Sequence, residues 1–96
     1  MDVGALGGKW TKYILDIVEQ VICVDVNETA KDYLFQKFGK NRIQFYLSSG
    51  SDLKGIQNES VDVIFCMDTL VRSSSSIITN YFKEFSRTLK KNGVLY

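Results

Sequence analysis

The chain of 96 residues contains no histidine, no proline and only two cysteines. Without histidine it cannot build a His-based catalytic triad or a histidine metal site. Cys23 and Cys66 are too few and too far apart to hold zinc, so we expect no metal. Both fall in apolar runs, which predicts buried free thiols in a reducing, cytoplasmic compartment. No apolar run reaches the ~18 residues of a membrane span, and we identify no signal-peptide pattern.

Neither sign of charge is in large excess. Lysine and arginine total 12 against 11 acidic residues, a formal net charge of +1. This balance does not favour a nucleic-acid surface driven by bulk charge. Two basic groups, residues 37–42 and 87–91, fall near predicted helix C-termini, where cations favour the helix dipole. With 45% hydrophobic and 24% charged residues, the composition is typical of one globular domain over 1–96.

Apolar periodicity divides the chain into alternating strands and helices. Short apolar runs predict strands at 1–3 (a stub), 20–26, 42–47 and 61–67, and a fifth from 93 onward. Helical spacing predicts helices over 9–19, from Asn27 as N-cap to about 38, and from the serine run 73–76 to Asn92–Gly93. This alternation predicts an α/β fold with a parallel sheet, right-handed crossovers and helices on both faces.

The predicted helices carry apolar stripes that we expect to pack in the core. The stripe of the first helix comprises Trp10, Tyr13, Ile14, Ile17 and Val18. That of the second comprises Ala30, Tyr33, Leu34 and Phe38, and that of the third Ile78, Tyr81, Phe82, Phe85 and Leu89. Core packing explains such stripes better than ligand contact.

A glycine-rich turn within DVGALGGKWT, residues 2–11, joins the first strand to the first helix. Glycine lacks a Cβ and can adopt positive φ, so a ligand can approach bare backbone beside the free N–H groups of a helix start. Ordinary α/β domains use similar glycines to pack a helix closely, so this turn alone leaves both interpretations open. Asp25, 17 residues past Gly8, ends the second strand at a distance suited to holding ribose hydroxyls.

Four polar features fall at the carboxyl ends of predicted strands. They are the Gly4–Gly8 turn, Asp25, the turn Ser48–Asp52, and Asp68. In open parallel sheets ligands bind beyond this edge, at the switch point in strand order. The sequence therefore predicts a site there for a nucleoside-bearing cofactor.

This ordered series resembles the class I S-adenosylmethionine-dependent methyltransferases. DVGALGGKWT is similar to the family's glycine loop of the type E-I-G-P-G-G-G-R-W-T, and VICVDVNE to its second strand. IQFYLSSGSDL and SVDVIFCMDTLV resemble the third- and fourth-strand segments, and EFSRTLKKNGVLY the F-x-R-x-L-K-P-G-G-x-L signature. The resemblance implies a three-layer Rossmann-like sheet of order 3-2-1-4-5. It further implies that the first and fifth strands are incomplete and the far-edge strands missing, as in a domain truncated at both ends.

The same resemblance implies S-adenosyl-L-methionine as the cofactor and assigns its binding residues. They are Asp2, Gly4, Ala5, Gly7 and Gly8 in the glycine loop, Asp25 and Val26 at the end of the second strand, and Ser49 and Gly50 beside the adenine ring. Asp68 would lie beside the methyl-transfer position as a tentative catalytic residue. There it would either orient or deprotonate the acceptor, or cap its own loop.

Five positions depart from the family pattern. Leu6 replaces the middle glycine, Ser49 an acid near the adenine amino group, and Arg72 a histidine. Lys91 and Asn92 stand where a proline and a first glycine are usual. We expect methyl transfer to oxygen, nitrogen or carbon of a small-molecule acceptor. The alternative is a non-catalytic remnant or self-associating module, in which a second copy completes the sheet. A nicotinamide dinucleotide domain fits less well, because Leu6 interrupts the G-x-G-x-x-G spacing.

Overall fold

Five strands and three helices alternate along the chain in a computed structural model that describes residues 1–96. The strands are β1 (Asp2–Val3), β2 (Val21–Asp25), β3 (Ile43–Leu47), β4 (Val61–Ile64) and β5 (Leu89–Leu95). The helices are α1 (Thr11–Ile14), α2 (Thr29–Phe38) and α3 (Ser75–Thr88). The predicted α/β alternation is confirmed. None of the three helices has the length and apolar character needed to span a membrane.

All strand pairs are parallel and form two ladders, β1-β2-β3 and β4-β5. A single bridge between Asp2 and Phe65 joins the ladders. Its hydrogen bonds run from the Val3 N–H to the Phe65 carbonyl and from the Phe65 N–H to the Met1 carbonyl, each 2.8 Å. The bridge places the two-residue β1 beside the end of β4, so the two sheets follow one another in the order 3-2-1-4-5.

Two hydrophobic clusters lie on opposite faces of the strands. One joins Ile14, Leu15 and the α2 residues Ala30 and Leu34 to β2 and β3. The other joins Tyr81 and Phe85 of α3 to Val24, Val61 and Ile64. Helices therefore cover both faces, as predicted, and the carboxyl ends of the strands remain open between the layers.

Helix α1 is much shorter than the predicted 9–19. After Ile14 the backbone continues in tighter turns, such as the bond from the Ile17 N–H to the Ile14 carbonyl at 3.0 Å. Arg42 explains where the helix stops, because its guanidinium donates to the carbonyls of Leu15 (2.7 Å), Val18 (2.8 Å) and Glu19 (3.1 Å). This arginine thus caps the turns that follow α1 rather than the end of the helix that precedes it.

The predicted burial of the first apolar stripe is largely wrong. Only Ile14 of that stripe is fully buried, whereas Tyr13 is 58% and Ile17 75% exposed. Val18 is also exposed and Trp10 is half-buried. A stripe over three turns needs a continuous helix, and α1 ends after one turn.

Smaller corrections concern the boundaries of the other helices. Helix α2 has Glu28 rather than Asn27 at its N-cap, although the Asn27 side chain accepts from the Thr29 N–H at 3.0 Å. Helix α3 begins after Ser74, whose Oγ accepts from the Ile77 N–H, so the predicted serine cap is confirmed. It ends at Thr88 rather than at Asn92–Gly93, because residue 89 already pairs with β4.

Two further aromatic residues of the predicted core stripes are exposed. Tyr33 on α2 and Phe82 on α3 lie on the solvent side of their helices. Because α3 ends at Thr88, strand β5 starts at Leu89, four residues earlier than predicted. Its pairing with β4 is irregular, since Val61 pairs with Leu89 but Val63 pairs with Val94.

Candidate functional site

The glycine turn follows β1 and packs against two neighbouring elements. Gly4 and Gly8 have φ of +79° and +78°. A Cβ at Gly4 would lie 2.3 Å from Thr69 Oγ1, and one at Gly8 would lie 2.6 Å from the Phe38 ring. Glycine is therefore required at both positions for conformation and for space. The turn is held tightly between the segment after β4 and helix α2.

Asp25 fixes the middle of this turn from the end of β2. Its Oδ2 accepts from the Leu6 N–H at 2.8 Å, and its Oδ1 accepts from the Asn27 N–H at 2.9 Å. The residue is only 4% exposed. Both oxygens thus have one backbone partner, and the carboxylate is oriented before any ligand arrives.

A cavity of about 710 Å³ opens at the carboxyl ends of β1, β2 and β4. Of the predicted site residues, it is lined by Gly4, Ala5, Gly7, Asp25, Val26 and Asp68. Its size lies within the range of small-molecule and cofactor pockets, about 300–1,000 Å³. The structure therefore brings together the glycine turn, Asp25 at the end of β2 and the segment after β4 around one space.

Asp2 and Gly8 lie beneath this cavity rather than on its wall. Asp2 is 2% exposed, and its Oδ2 accepts from Thr11 Oγ1 at 2.5 Å. Burial raises the pKa of the Asp2 carboxyl, while the Thr11 hydrogen bond and the Met1 amine oppose that shift. The contact ties β1 to the first residue of α1 and so supports the loop from below.

Ser49 and Gly50 also lie outside the cavity wall, but next to it. A Cβ at Gly50 would lie 3.5 Å from Cγ1 of Val26, which lines the cavity. Ser49 Oγ donates to Asp52 Oδ2 at 2.8 Å, and this hydrogen bond lowers the pKa of Asp52. The Ser49 hydroxyl is thus engaged within its own turn.

Asp68 follows β4 with φ of +58° and an exposed side chain. Its carboxylate makes no hydrogen bond within the chain, in contrast to the carboxylates of Asp2 and Asp25. A hydrogen-bonded loop cap is therefore not seen. Asp68 instead lines the cavity, on the segment after β4 that packs against the glycine turn.

Ser48, from the predicted polar turn Ser48–Asp52, also lines the cavity, whereas sequence reasoning missed several other lining residues: Lys9, Trp10, Lys37, Met67, Thr69 and Tyr81. Tyr81 is buried, and its hydroxyl lies 3.1 Å from Ser48 Oγ, which in turn donates to the Asp52 carbonyl at 2.9 Å. Burial raises the pKa of Tyr81. The apolar spacing of the helix predicted that Tyr81 is buried, but this spacing does not indicate which groups the Tyr81 hydroxyl contacts.

The remaining candidate groups for chemistry are inert or scattered. Cys23 and Cys66 are free thiols, and burial raises the pKa of Cys23 to about 12. No cluster of three or more histidine, cysteine or acidic side chains could hold a metal ion.

Several solved structures share this fold. The chain matches a SAM-dependent methyltransferase from Leishmania major with a TM-score of 0.84 at 17% identity, over 98% of this chain and 39% of that one. It matches Haemonchus contortus phosphoethanolamine N-methyltransferase 1, in complex with phosphoethanolamine and S-adenosylhomocysteine, with a TM-score of 0.84 at 20% identity, over 98% and 21%. It matches a SAM-dependent methyltransferase from Aquifex aeolicus with a TM-score of 0.77 at 24% identity, over 93% and 49%.

The chain thus spans less than half the length of each of these structures. No curated protein matches it. The family profile described as "Methyltransferase domain" matches residues 1–96, which is the whole chain. Together with the parallel sheet and the placement of the glycine turn, this match shows that the chain belongs to the S-adenosylmethionine-dependent methyltransferases of the Rossmann-like class.

Proposed function

We propose that this chain binds S-adenosylmethionine in the cavity at the glycine turn and supports methyl transfer to a small-molecule acceptor. The observation that carries the proposal is the carboxylate of Asp25. It is buried, oriented by the N–H groups of Leu6 and Asn27, and still part of the cavity wall.

The residues present fit a nucleoside with an amino-acid arm. Each Asp25 oxygen accepts one backbone hydrogen bond and retains capacity for a ligand hydroxyl. In this assignment Asp25 holds the ribose, and the backbone of Gly4, Ala5 and Gly7 borders the methionine part. Val26 borders the adenine from the cavity wall, and the turn at Ser49 and Gly50 supports it from behind.

The cofactor supplies an activated methyl group, and the main task of the protein is to hold the acceptor in line with it. Asp2 and Gly8 contribute indirectly, by fixing the turn against α1 and α2. Asp68 lines the same cavity with a carboxylate free of internal hydrogen bonds, so it is available to orient an acceptor or to accept its proton.

A small acceptor is favoured by the form of the site. The cavity is bounded by the glycine turn, the end of β2, the segment after β4, and the side chains of Lys37, Ser48 and Tyr81, and its volume of about 710 Å³ is that of a small-molecule pocket. The Haemonchus contortus protein of similar fold is in complex with phosphoethanolamine, itself a small molecule. We place the protein in the cytoplasm, because both of its cysteines are free thiols.

The test is calorimetric titration of the purified chain with S-adenosylmethionine and S-adenosylhomocysteine. We expect binding that Asp25→Ala weakens at least tenfold, whereas Asp16→Ala, an exposed acid outside the cavity, leaves it unchanged. Since Asp25→Ala also removes two backbone contacts, a second variant is needed. Val26→Arg fills the cavity from an exposed position and should abolish binding without unfolding the chain.

Absence of binding by a folded, soluble sample would refute this proposal. A second groove on the chain favours the alternative function, a self-associating module without methyl transfer. It has a volume of about 960 Å³ and lies between the starts of β2 and β4, where the two-residue β1 does not reach. The exposed Ile17 lines it, as do Val21 and Val61. In this alternative a second copy covers the groove, and Ile17→Lys would reduce the mass measured by light scattering in the same preparation.

A further inference from the structure

Two lysines line the cofactor cavity without a carboxylate partner. Lys9 follows the glycine turn, and Lys37 lies in the last turn of α2, nearly thirty residues away. The two ion pairs of the chain are Glu84–Arg87 and Lys90–Asp62, so neither cavity lysine belongs to one. The chain therefore places two uncompensated cations beside the same space.

Both ammonium groups are held near the glycine turn by contacts that leave their charge available. Lys37 Nζ lies 3.5 Å from the Gly7 carbonyl oxygen, and 5.6 Å and 5.4 Å from the ring centroids of Tyr33 and Phe38. Lys9 Nζ lies 5.2 Å from the centroid of Trp10, which also lines the cavity. Cation–π contacts of this kind orient an ammonium group without neutralising it.

The two carboxylates of the cavity do not supply the missing counter-charge. The oxygens of Asp25 accept from the N–H groups of Leu6 and Asn27. Asp68 lies on the segment after β4 and pairs with no lysine. An anion that enters beside the turn would therefore meet positive charge on the side of α1 and α2.

We propose that Lys9 and Lys37 bind the carboxylate of the methionine part of the cofactor and so set the cavity's preference for an amino-acid nucleoside. This inference rests on the proposed function, in which the methionine part borders Gly4, Ala5 and Gly7. That part carries the only carboxylate of the cofactor. Lys37 Nζ already lies 3.5 Å from the Gly7 carbonyl oxygen, so it can contact a carboxylate bound beside Gly7 without rearrangement of the backbone.

The experiment compares S-adenosylhomocysteine with its decarboxylated analogue, in which hydrogen replaces the carboxylate. We expect the natural chain to prefer the carboxylate-bearing ligand at least tenfold. Lys37→Gln and Lys9→Gln should each reduce that preference about tenfold, the lower end of the range for one hydrogen bond to a charged group. Lys31→Gln is the matched control, because Lys31 also lies over an aromatic ring but outside this cavity. Added salt should lower the preference of the natural chain and not that of the double variant.

An unchanged preference in the Lys9→Gln/Lys37→Gln double variant would overturn the inference. So would an equal loss of affinity for both ligands, which would show that the lysines support the turn rather than the carboxylate. In either case, binding of S-adenosylhomocysteine that Val26→Arg abolishes would leave the proposed function standing. If neither nucleoside binds the natural chain, the proposed function itself fails, and this inference with it.

Discussion

Leu6 occupies a position in the glycine turn that is unfavourable for its side chain. Its φ is +43°, in the left-handed region, and its side chain is 69% exposed. The Leu6 N–H donates to Asp25 at 2.8 Å, so the strained conformation is maintained by the contact that orients the carboxylate. We expect Leu6→Gly to stabilise the chain.

The magnitude follows from two opposing contributions. A residue with a Cβ in the left-handed region costs about 1–2 kcal/mol. Glycine costs about 0.5–1 kcal/mol in additional freedom of the unfolded chain. Little burial is lost, because the side chain is mostly exposed. Taken at the midpoints of the two ranges, the expected net gain in the free energy of unfolding is about 0.75 kcal/mol, roughly 3–6 °C in Tm for a domain of this size.

The assay is urea unfolding and thermal melting of the natural chain, Leu6→Gly and Leu6→Ala. Alanine removes the bulk of the side chain but retains the Cβ, so it should leave most of the strain in place. Equal stability of the two variants, or a less stable glycine variant, would refute the argument that backbone conformation is the cause. Because both variants keep the N–H that donates to Asp25, cofactor affinity should not separate them.

Two other predictions concern the elements that support the turn. Arg42→Met should destabilise the chain by about 1–2 kcal/mol in urea unfolding, because it removes three hydrogen bonds to the carbonyls after α1; a loss no larger than that of Lys91→Met would contradict this. Asp2→Asn tests the buried carboxyl. Because burial raises the folded-state pKa of Asp2 above the unfolded one, the folded chain binds more protons between the two values, and stability falls as pH rises through them. As the pH rises from acid towards neutral, the free energy of unfolding of the natural chain should therefore fall relative to that of Asp2→Asn. A difference between the two that does not change with pH would show that the Asp2 carboxyl does not titrate in this way.

Some parts of the fold could be predicted because they depend on local chemistry. The valine- and isoleucine-rich runs predicted β2, β3 and β4 to within three residues at each end. Gly39 ends α2 with φ of +88°, as its position after Phe38 indicated. These features follow from side-chain alternation and from the conformational freedom of glycine, both of which act within a few residues.

The length of α1 could not be predicted, because the group that ends it comes from elsewhere. The stripe from Trp10 to Val18 has good helical spacing, yet Arg42 takes up the carbonyls that a longer helix would use. Nothing near residues 15–19 in sequence carries that information. Ile17, in the turns that follow α1, is 75% exposed.

The candidate site also has a part that could be predicted from the sequence and a part that could not. The sequence by itself determined that a glycine turn, Asp25 and Asp68 would meet at the carboxyl ends of neighbouring strands, because parallel strands place those ends at one edge. Only the tertiary structure decided that Lys37 and Tyr81 join them, and that Asp2 and Ser49 lie behind the wall. The reason is physical: strand order and polarity fix where a backbone segment ends, whereas the direction and reach of a side chain from a packed helix depend on every neighbour around it.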